Sequence, residues 1–335
     1  MPRNLKPIPE PIFLVPSDLP QLETVSPSTK HQDDGVQSTN VVKVDNPGLL
    51  LARYIPQQVV RNDKDDAIIE INRRGNEITY QTLRSLWFEY FPTNFASENA
   101  AFMQLLNNAH KRWEVMTNFI TSVRFSMVNH GRLIVGLGGK GPLEIGITLH
   151  PVTGLPYIPG SALKGLCRSY TLLFIAARWK VKVETKSLEE LDKALCGITN
   201  GGEKILEPEL AELYRSLFGT QTEAGQCVFF DAVVQSIPHK KSIFTIDVMT
   251  PHFDEYYRSQ GKNAPHDGDN PNPIAYVTVT EGTVFRFAVG LRNNAQTDKG
   301  ILRDARELLQ AALQELGIGA KTAQGYGVFA PVKRK

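Results

Sequence analysis

From about residue 98 onward the chain sets strand-like stretches and amphipathic helices in an order that few folds accommodate. Residues 101–118 carry Phe102, Leu105, Leu106, Ala109, Trp113 and Met116 at helical spacing, the mark of a helix with one buried face. Strand-like sequence follows at 121–128, 131–135 and 143–149, with a glycine-rich turn at 136–141 before the last of these. A loop over 150–159 leads into a helix that opens at Gly160 and Ser161 and runs to about Arg178. Ser161 is its expected N-cap, because a serine hydroxyl accepts from the unpaired amides of a first turn. Further strands are read at 227–234, 274–279 and 284–291. A helix over 301–316 then places Leu302, Ala305, Leu308, Leu309, Ala312 and Leu313 along one stripe. Gly317 suits the left-handed position after that helix, and a last strand covers 328–332. This order predicts an α+β sandwich of the βαββαβ type. Residues near 180–225 and 236–275 fall outside the pattern and read as insertions, and connections of that length usually carry a function.

The chain divides near residue 96. Residues 1–96 hold ten of the 21 prolines and a net charge of −2, against +4 for residues 97–335. The first forty residues show little periodicity and read as a mobile arm or an extended segment on a partner, whereas 67–71 reads as a strand and 80–87 as a short helix. With 41% hydrophobic and 21% charged residues, the 335-residue chain can bury a sizeable core, which excludes disordered, collagen-like and coiled-coil classes. No stretch nears the run of about 18 apolar residues that a membrane helix needs, and no apolar leader follows Met1, so no membrane association is expected and the cytoplasm is the default location. A net charge of +2 is not that of a protein coating bare nucleic acid by charge alone. Cys167, Cys196 and Cys227 are far apart and form no Cys-x-x-Cys pair, so neither a disulfide framework nor a zinc knuckle is indicated.

Phosphate binding is the chemistry the motifs support best. Ser161, Lys164, Gly165 and Arg168 fall near one face in the first turns of a helix whose open amides and positive dipole end suit an anion. Residues 136–141 with Lys140, and residues 317–327 with Lys321 and Thr322, are two more glycine-rich loops carrying a lysine, and glycine lets backbone amides approach a phosphate closely. Each loop alone reads more simply as a tight turn with solvated charge; three of them on one side of a sheet would form a track for a sugar-phosphate backbone. Familiar cofactor motifs fail on context. Gly136-x-Gly138-x-x-Gly141 leads into a strand rather than a helix, Ala320 stands where a phosphate loop needs glycine, and Ser161-x-x-Lys164 lacks the other elements of a serine acyltransferase. No cofactor or metal is expected. Asp231, Asp247, His252, Asp254, Asp267 and Asp269 lack a metal-ligand spacing, and turn hydrogen bonding explains them more simply. His150 is a candidate general base for RNA cleavage, against a plainer role in ordering the turn at Pro151.

Four blocks carry a family resemblance: residues 144–165, residues 217–232, Asp247-Val-Met-Thr-Pro-His-Phe-Asp-Glu-Tyr-Tyr257 with residues 270–274, and residues 317–327. Together, over about residues 110–330, they resemble the RAMP proteins of CRISPR systems, and among these the family of sixth Cmr subunits of type III-B effector complexes. The resemblance implies a ferredoxin-like (RRM-like) domain over 97–335 that serves as a non-catalytic backbone subunit. It implies contact with the guide (CRISPR) RNA toward its 3′ end, help in binding complementary single-stranded target RNA, and neighbours that are other RAMP subunits and the large subunit. It also suggests Lys140, Ser161, Lys164, Arg168, Lys321, Thr322 and Tyr326 as RNA contacts, with Tyr326 either stacking on a base or packing inside. Residues 236–275 would form a thumb-like element, and residues 1–96 match no pattern. The alternative is a metal-independent RAMP endoribonuclease of guide precursors with His150 or His252 as base; a metal-dependent nuclease built on the aspartates ranks third.

Overall fold

The structure, a computed structural model, describes Pro92 and residues 95–138, 146–181, 184–197, 207–250, 253–266, 273–292 and 299–333, together with the backbone of five short strands before residue 80. Of those five, β1 (Thr24–Val25) pairs with β2 (Val41–Val42), and β3 (Val60–Arg61), β4 (Ala67–Ile71) and β5 (Glu77–Thr79) form a small antiparallel sheet. The helix expected at 80–87 lies outside the described residues.

The main sheet is antiparallel throughout. Its strands are β6 (Ser122–Asn129), β7 (Tyr157–Ile158), β8 (Cys227–Phe229), β9 (Ala232–Ser236), β12 (Val284–Leu291) and β13 (Phe329–Pro331), in the order β13-β6-β12-β9-β7 with β8 also paired to β12. Register sets its two faces. Phe285 pairs with Met127 and Phe287 with Phe125, so these aromatics share one side. Phe125 stacks on Phe287 at 5.3 Å between centroids, and Phe329 meets Phe285 and Phe287 edge-on at 5.7 and 5.5 Å. On the alternate positions Arg286 donates to the Ser126 hydroxyl at 2.9 Å, which donates to Gln235 at 2.6 Å.

Helices α1 (Ala100–Asn118), α2 (Gly160–Arg178) and α6 (Lys299–Glu315) are the three that periodicity predicts. The α6 stripe of Leu302, Ala305, Leu309 and Leu313 joins the core cluster with Leu163, Cys167 and Ile175 of α2, and α6 runs over β6, β12 and β13. The insertion at 180–225 contributes α3 (Thr185–Leu195) and α4 (Pro208–Phe218), both packed on α2. The second insertion holds β10 (Phe244–Met249) and the short α5 (Asp254–Arg258); β10 pairs along its whole length with β11 (Ile274–Val279) in a separate two-stranded ribbon. No helix among the described residues is long and apolar enough to cross a membrane.

Four local expectations change. Residues 131–135 form no strand; Leu133 makes one isolated bridge to Val279, at the root of the ribbon. Of 143–149, the described part forms only a bridge between Leu149 and Pro156. The strand read over 227–234 breaks at Phe230 and Asp231 into β8 and β9. Ser161 is not the N-cap of α2: Pro159 holds that position, no cap-residue side chain bonds to the helix, and the Asp231 carboxylate accepts from the Gly160 amide at 2.7 Å. The cap arrives from the sheet because α2 sits tight against it. A Cβ on Gly160 would lie 2.1 Å from the Phe229 carbonyl oxygen. Alanine is the better helix former by about 1 kcal/mol, yet we expect Gly160→Ala to destabilise the fold by roughly 1–3 kcal/mol through overpacking, read as a lower denaturant midpoint with unchanged slope.

Candidate nucleic-acid interface

Parts of the three glycine-bearing segments meet, with α2 taking part through Ala162 and Leu166 and not through Ser161, Lys164 or Arg168. Gly136 and Leu137, Ala162 and Leu166 of α2, and residues 316–320 with Thr322 line one open cleft of about 650 Å³. One wall depends on close backbone packing. Residues 317–327 lie against 131–134, with the Ala320 amide donating to Ile134 at 2.9 Å and the Gly327 amide to Arg132 at 2.8 Å. A Cβ on Gly319 would stand 2.3 Å from the Ile134 carbonyl oxygen, and one on Gly327 1.8 Å from that of Ile318, so bulk at either position forces the loop off its neighbour.

The α2 end of the cleft is less open than a free helix start. Asp231 holds the Gly160 amide, while the amides of Ala162 and Leu163 donate back to the Pro159 carbonyl at 2.9 and 3.1 Å. The expected amide cradle is therefore largely filled from within, and Ser161 remains as an exposed hydroxyl at the helix start. The i, i+4 pair Lys164 and Arg168 does share a face. That face is turned away from the one bearing Ala162 and Leu166, toward Cys227, Arg292 and the insertion helices. Arg168 donates to both oxygens of Asp192 at 2.8 and 2.9 Å and to the Tyr214 hydroxyl at 2.9 Å, and that hydroxyl donates to Asp192 at 2.5 Å. Burial alone would lower the Arg168 pKa, but Tyr214 and Asp192 hold it above its ordinary value. Lys164 has no such partner among the described residues: burial, then the positive charges of Arg168 and Arg292, lower its pKa. Arg292, missed in the sequence, joins this basic group because β8 and the end of β12 meet beside α2.

Lys321 and Tyr326 enter a network that links the glycine loop to the ribbon. Lys321 Nζ donates to the Tyr276 hydroxyl at 2.7 Å and lies 4.5 Å from the centre of that ring and 5.7 Å from that of Tyr326. The Tyr276 and Tyr326 hydroxyls stand 3.1 Å apart. Asp247 Oδ2 accepts from Tyr276 at 3.3 Å and from the Tyr326 hydroxyl, and forms an ion pair with Arg132 Nη1 at 2.5 Å. Tyr326 thus has its hydroxyl tied inward, and Thr322 lines the cleft. Lys140 lies outside the described residues.

Two of the candidate catalytic groups, His150 and Asp231, are engaged elsewhere. His150 Nδ1 accepts from the amides of Val152 at 3.3 Å and Thr153 at 3.4 Å, so it orders the turn. Asp231 caps α2, and its carbonyl accepts from Trp113 Nε1 of α1 at 2.7 Å. Burial pushes the Cys167 thiol up to about 12 and Cys227 to about 11, which keeps both protonated and unreactive at neutral pH. Among the described residues no group of three metal-ligating side chains assembles. His252, Asp267 and Asp269 lie outside them, and only the backbone of Asp254 is described.

Burial would raise the Asp247 carboxyl, but Arg132, the Val248 amide and Tyr276 outweigh it and hold it below the ordinary range. A carboxyl depressed in the folded state stabilises above its unfolded pKa, and that contribution is lost as pH falls through the folded value. We expect Asp247→Asn to be less stable than wild type at neutral pH and the gap to close in acid. Denaturant midpoints over a pH series check this.

A model of the RAMP superfamily matches residues 129–330. The CRISPR system Cmr subunit Cmr6 of Pyrococcus furiosus is 34% identical over 251 residues, spanning 67% of this chain and 72% of that protein. The Cmr6 subunit of Saccharolobus solfataricus is 26% identical over 212 residues, 62% of this chain and 57% of that one. A chain in the cryo-EM structure of the Type III-B Cmr-beta bound to cognate target RNA shares the fold at a TM-score of 0.52 and 22% identity, covering 76% of this chain and 72% of its own. The family model over residues 129–330 and the 34% identity to the Pyrococcus furiosus subunit make this chain a member of the RAMP superfamily and, within it, of the Cmr6 family.

Proposed function

We propose that the chain is a non-catalytic, RNA-binding backbone subunit of a cytoplasmic type III-B CRISPR effector complex active in antiviral defence. In this reading it contacts the guide RNA toward its 3′ end and helps to hold the complementary target RNA beside other RAMP subunits and the large subunit. The observation that carries the reading is the convergence of the three glycine-bearing segments on one open cleft, with Lys321 between its lining residues Ala320 and Thr322. Single-stranded RNA is held by such grooves through phosphate contacts and close backbone approach. The sheet order β13-β6-β12-β9, with α2 between β6 and β9 in sequence and α6 between β12 and β13, supports a ferredoxin-like unit over 97–335, extended by 1–96 and interrupted near 180–225 and 236–275. The engagement of His150, Asp231 and Asp247 in turn, cap and ion pair supports a binding role over a cleaving one.

Thr322 offers a clean test because it lines the cleft and is only half-buried. Thr322→Glu puts an anion in the cleft without removing a cation or an ion pair, so folding stability should change little. We expect the tagged wild-type chain, drawn from its host, to carry short CRISPR-derived RNA with other RAMP subunits and a large subunit. The variant should fold normally and carry markedly less RNA, released at lower salt. Recovery of wild type without RNA or partners, or cleavage of repeat RNA by the isolated chain in EDTA, would overturn the reading.

A further inference from the structure

Arg132 is a second cation that neither spacing nor motif singles out, and its partner is Asp247 of the ribbon. It lies just past β6, in the 131–134 stretch on which the glycine loop packs, its side chain 41% exposed, and its Nη1 meets Asp247 Oδ2. Asp247 belongs to the ribbon and stands directly across from the fully buried Tyr276. Its Oδ2 is met by three groups on three segments: it pairs with Arg132 and accepts from Tyr276 and Tyr326. Lys321 meets no carboxylate in this group, only the Tyr276 hydroxyl and two ring faces. The cluster thus sets two cations against one carboxylate and keeps a net positive charge, with Lys321 between Ala320 and Thr322 of the cleft lining. The guanidinium meets the carboxylate through Nη1, and a planar five-donor fork also suits a phosphate. Lys321 itself sits in the left-handed region at φ +61°, a conformation that a non-glycine residue keeps only where its surroundings hold it.

We propose that Arg132 binds a phosphodiester of single-stranded RNA beside the glycine loop that walls the cleft, and that Asp247 is the positioning residue that aims it. The proposal rests on the reading of the cleft as an RNA track. Asp247 fixes the guanidinium through one oxygen and, through Tyr276 and Tyr326, ties that setting to the ribbon and the glycine loop. A negative charge beside an RNA site ordinarily weakens binding; here its orienting effect outweighs its repulsion.

That opposition of signs makes the test direct. The tagged full chain is recovered with its complex, and RNA retained per chain is measured over a sodium chloride series. We expect Arg132→Ala to retain RNA about tenfold less well, as the loss of one charge-assisted contact implies, with a salt slope shallower by about one. Arg132→Lys restores the slope but not the retention. Asp247→Asn makes the site more positive by one charge and still retains less RNA than wild type. Tyr326→Phe removes one donor to Asp247 without a change of charge, and weakens retention to a smaller degree even if Asp247→Asn folds poorly. If wild type carries salt-sensitive RNA while Arg132→Ala matches it in retention and slope, or Asp247→Asn binds more tightly, this inference falls and the RNA-track reading stands. Wild type free of RNA removes the RNA-track reading, and this inference with it.

Discussion

Helix α2 can lie where it does only because residue 160 has no Cβ. The backbone there meets the Phe229 carbonyl so closely that any side chain would lift the helix start off the sheet. That one approach sets much else. It brings the Gly160 amide to the Asp231 carboxylate, which sits at the break between β8 and β9, and the carbonyl of the same aspartate receives the Trp113 indole of α1. Two helices are thus referenced to one residue of the sheet. The seat of α2 then fixes Ala162 and Leu166 as one wall of the cleft, and turns Lys164 and Arg168 to the other side, against the insertion helices.

The opposite wall follows the same logic on a second set of glycines. Residues 317–327 fold onto 131–134 with backbone against backbone, and Leu133 bridges onward to Val279 of the ribbon. Sheet, glycine loop and ribbon are therefore coupled through a short stretch that has no regular structure of its own. Asp247 closes this assembly by side chains, because a half-buried carboxylate among a guanidinium and two phenols needs all of its donors to offset desolvation. The glycines that looked like phosphate cradles serve first to make the cleft's shape, and Lys321, between Ala320 and Thr322, is the cation the loop itself carries there.

The sequence made the frame legible where periodicity was strong. Helices α1, α2 and α6 and strands β11 and β12 lie where apolar spacing puts them, since each buries a continuous stripe or face. Strand β10 was not legible. It pairs only with β11, so its residues are mostly half-buried and lack the sharp alternation of a strand on a core. The cap of α2 was misassigned to Ser161 because its real acceptor lies seventy-one residues away, beyond any local signal. The site divides in the same way. Spacing placed Lys164 and Arg168 on one face but gave no way to know that Asp192 and Tyr214, from an insertion, would meet that face. Arg132 and Asp247 carry no signal as a pair, since ribbon geometry alone brings them together.

The most direct measurement is photocrosslinking of the intact complex carrying thiouridine-substituted RNA, with the crosslinked peptides of this chain identified by mass spectrometry. We expect crosslinks in the peptides that hold residues 131–138, 160–168 and 317–327, which line or flank the cleft. Crosslinks confined to surfaces remote from it, such as the exposed end of α1 around Val115 and Phe119, or none on this chain while its neighbours crosslink well, would contradict the RNA-track reading.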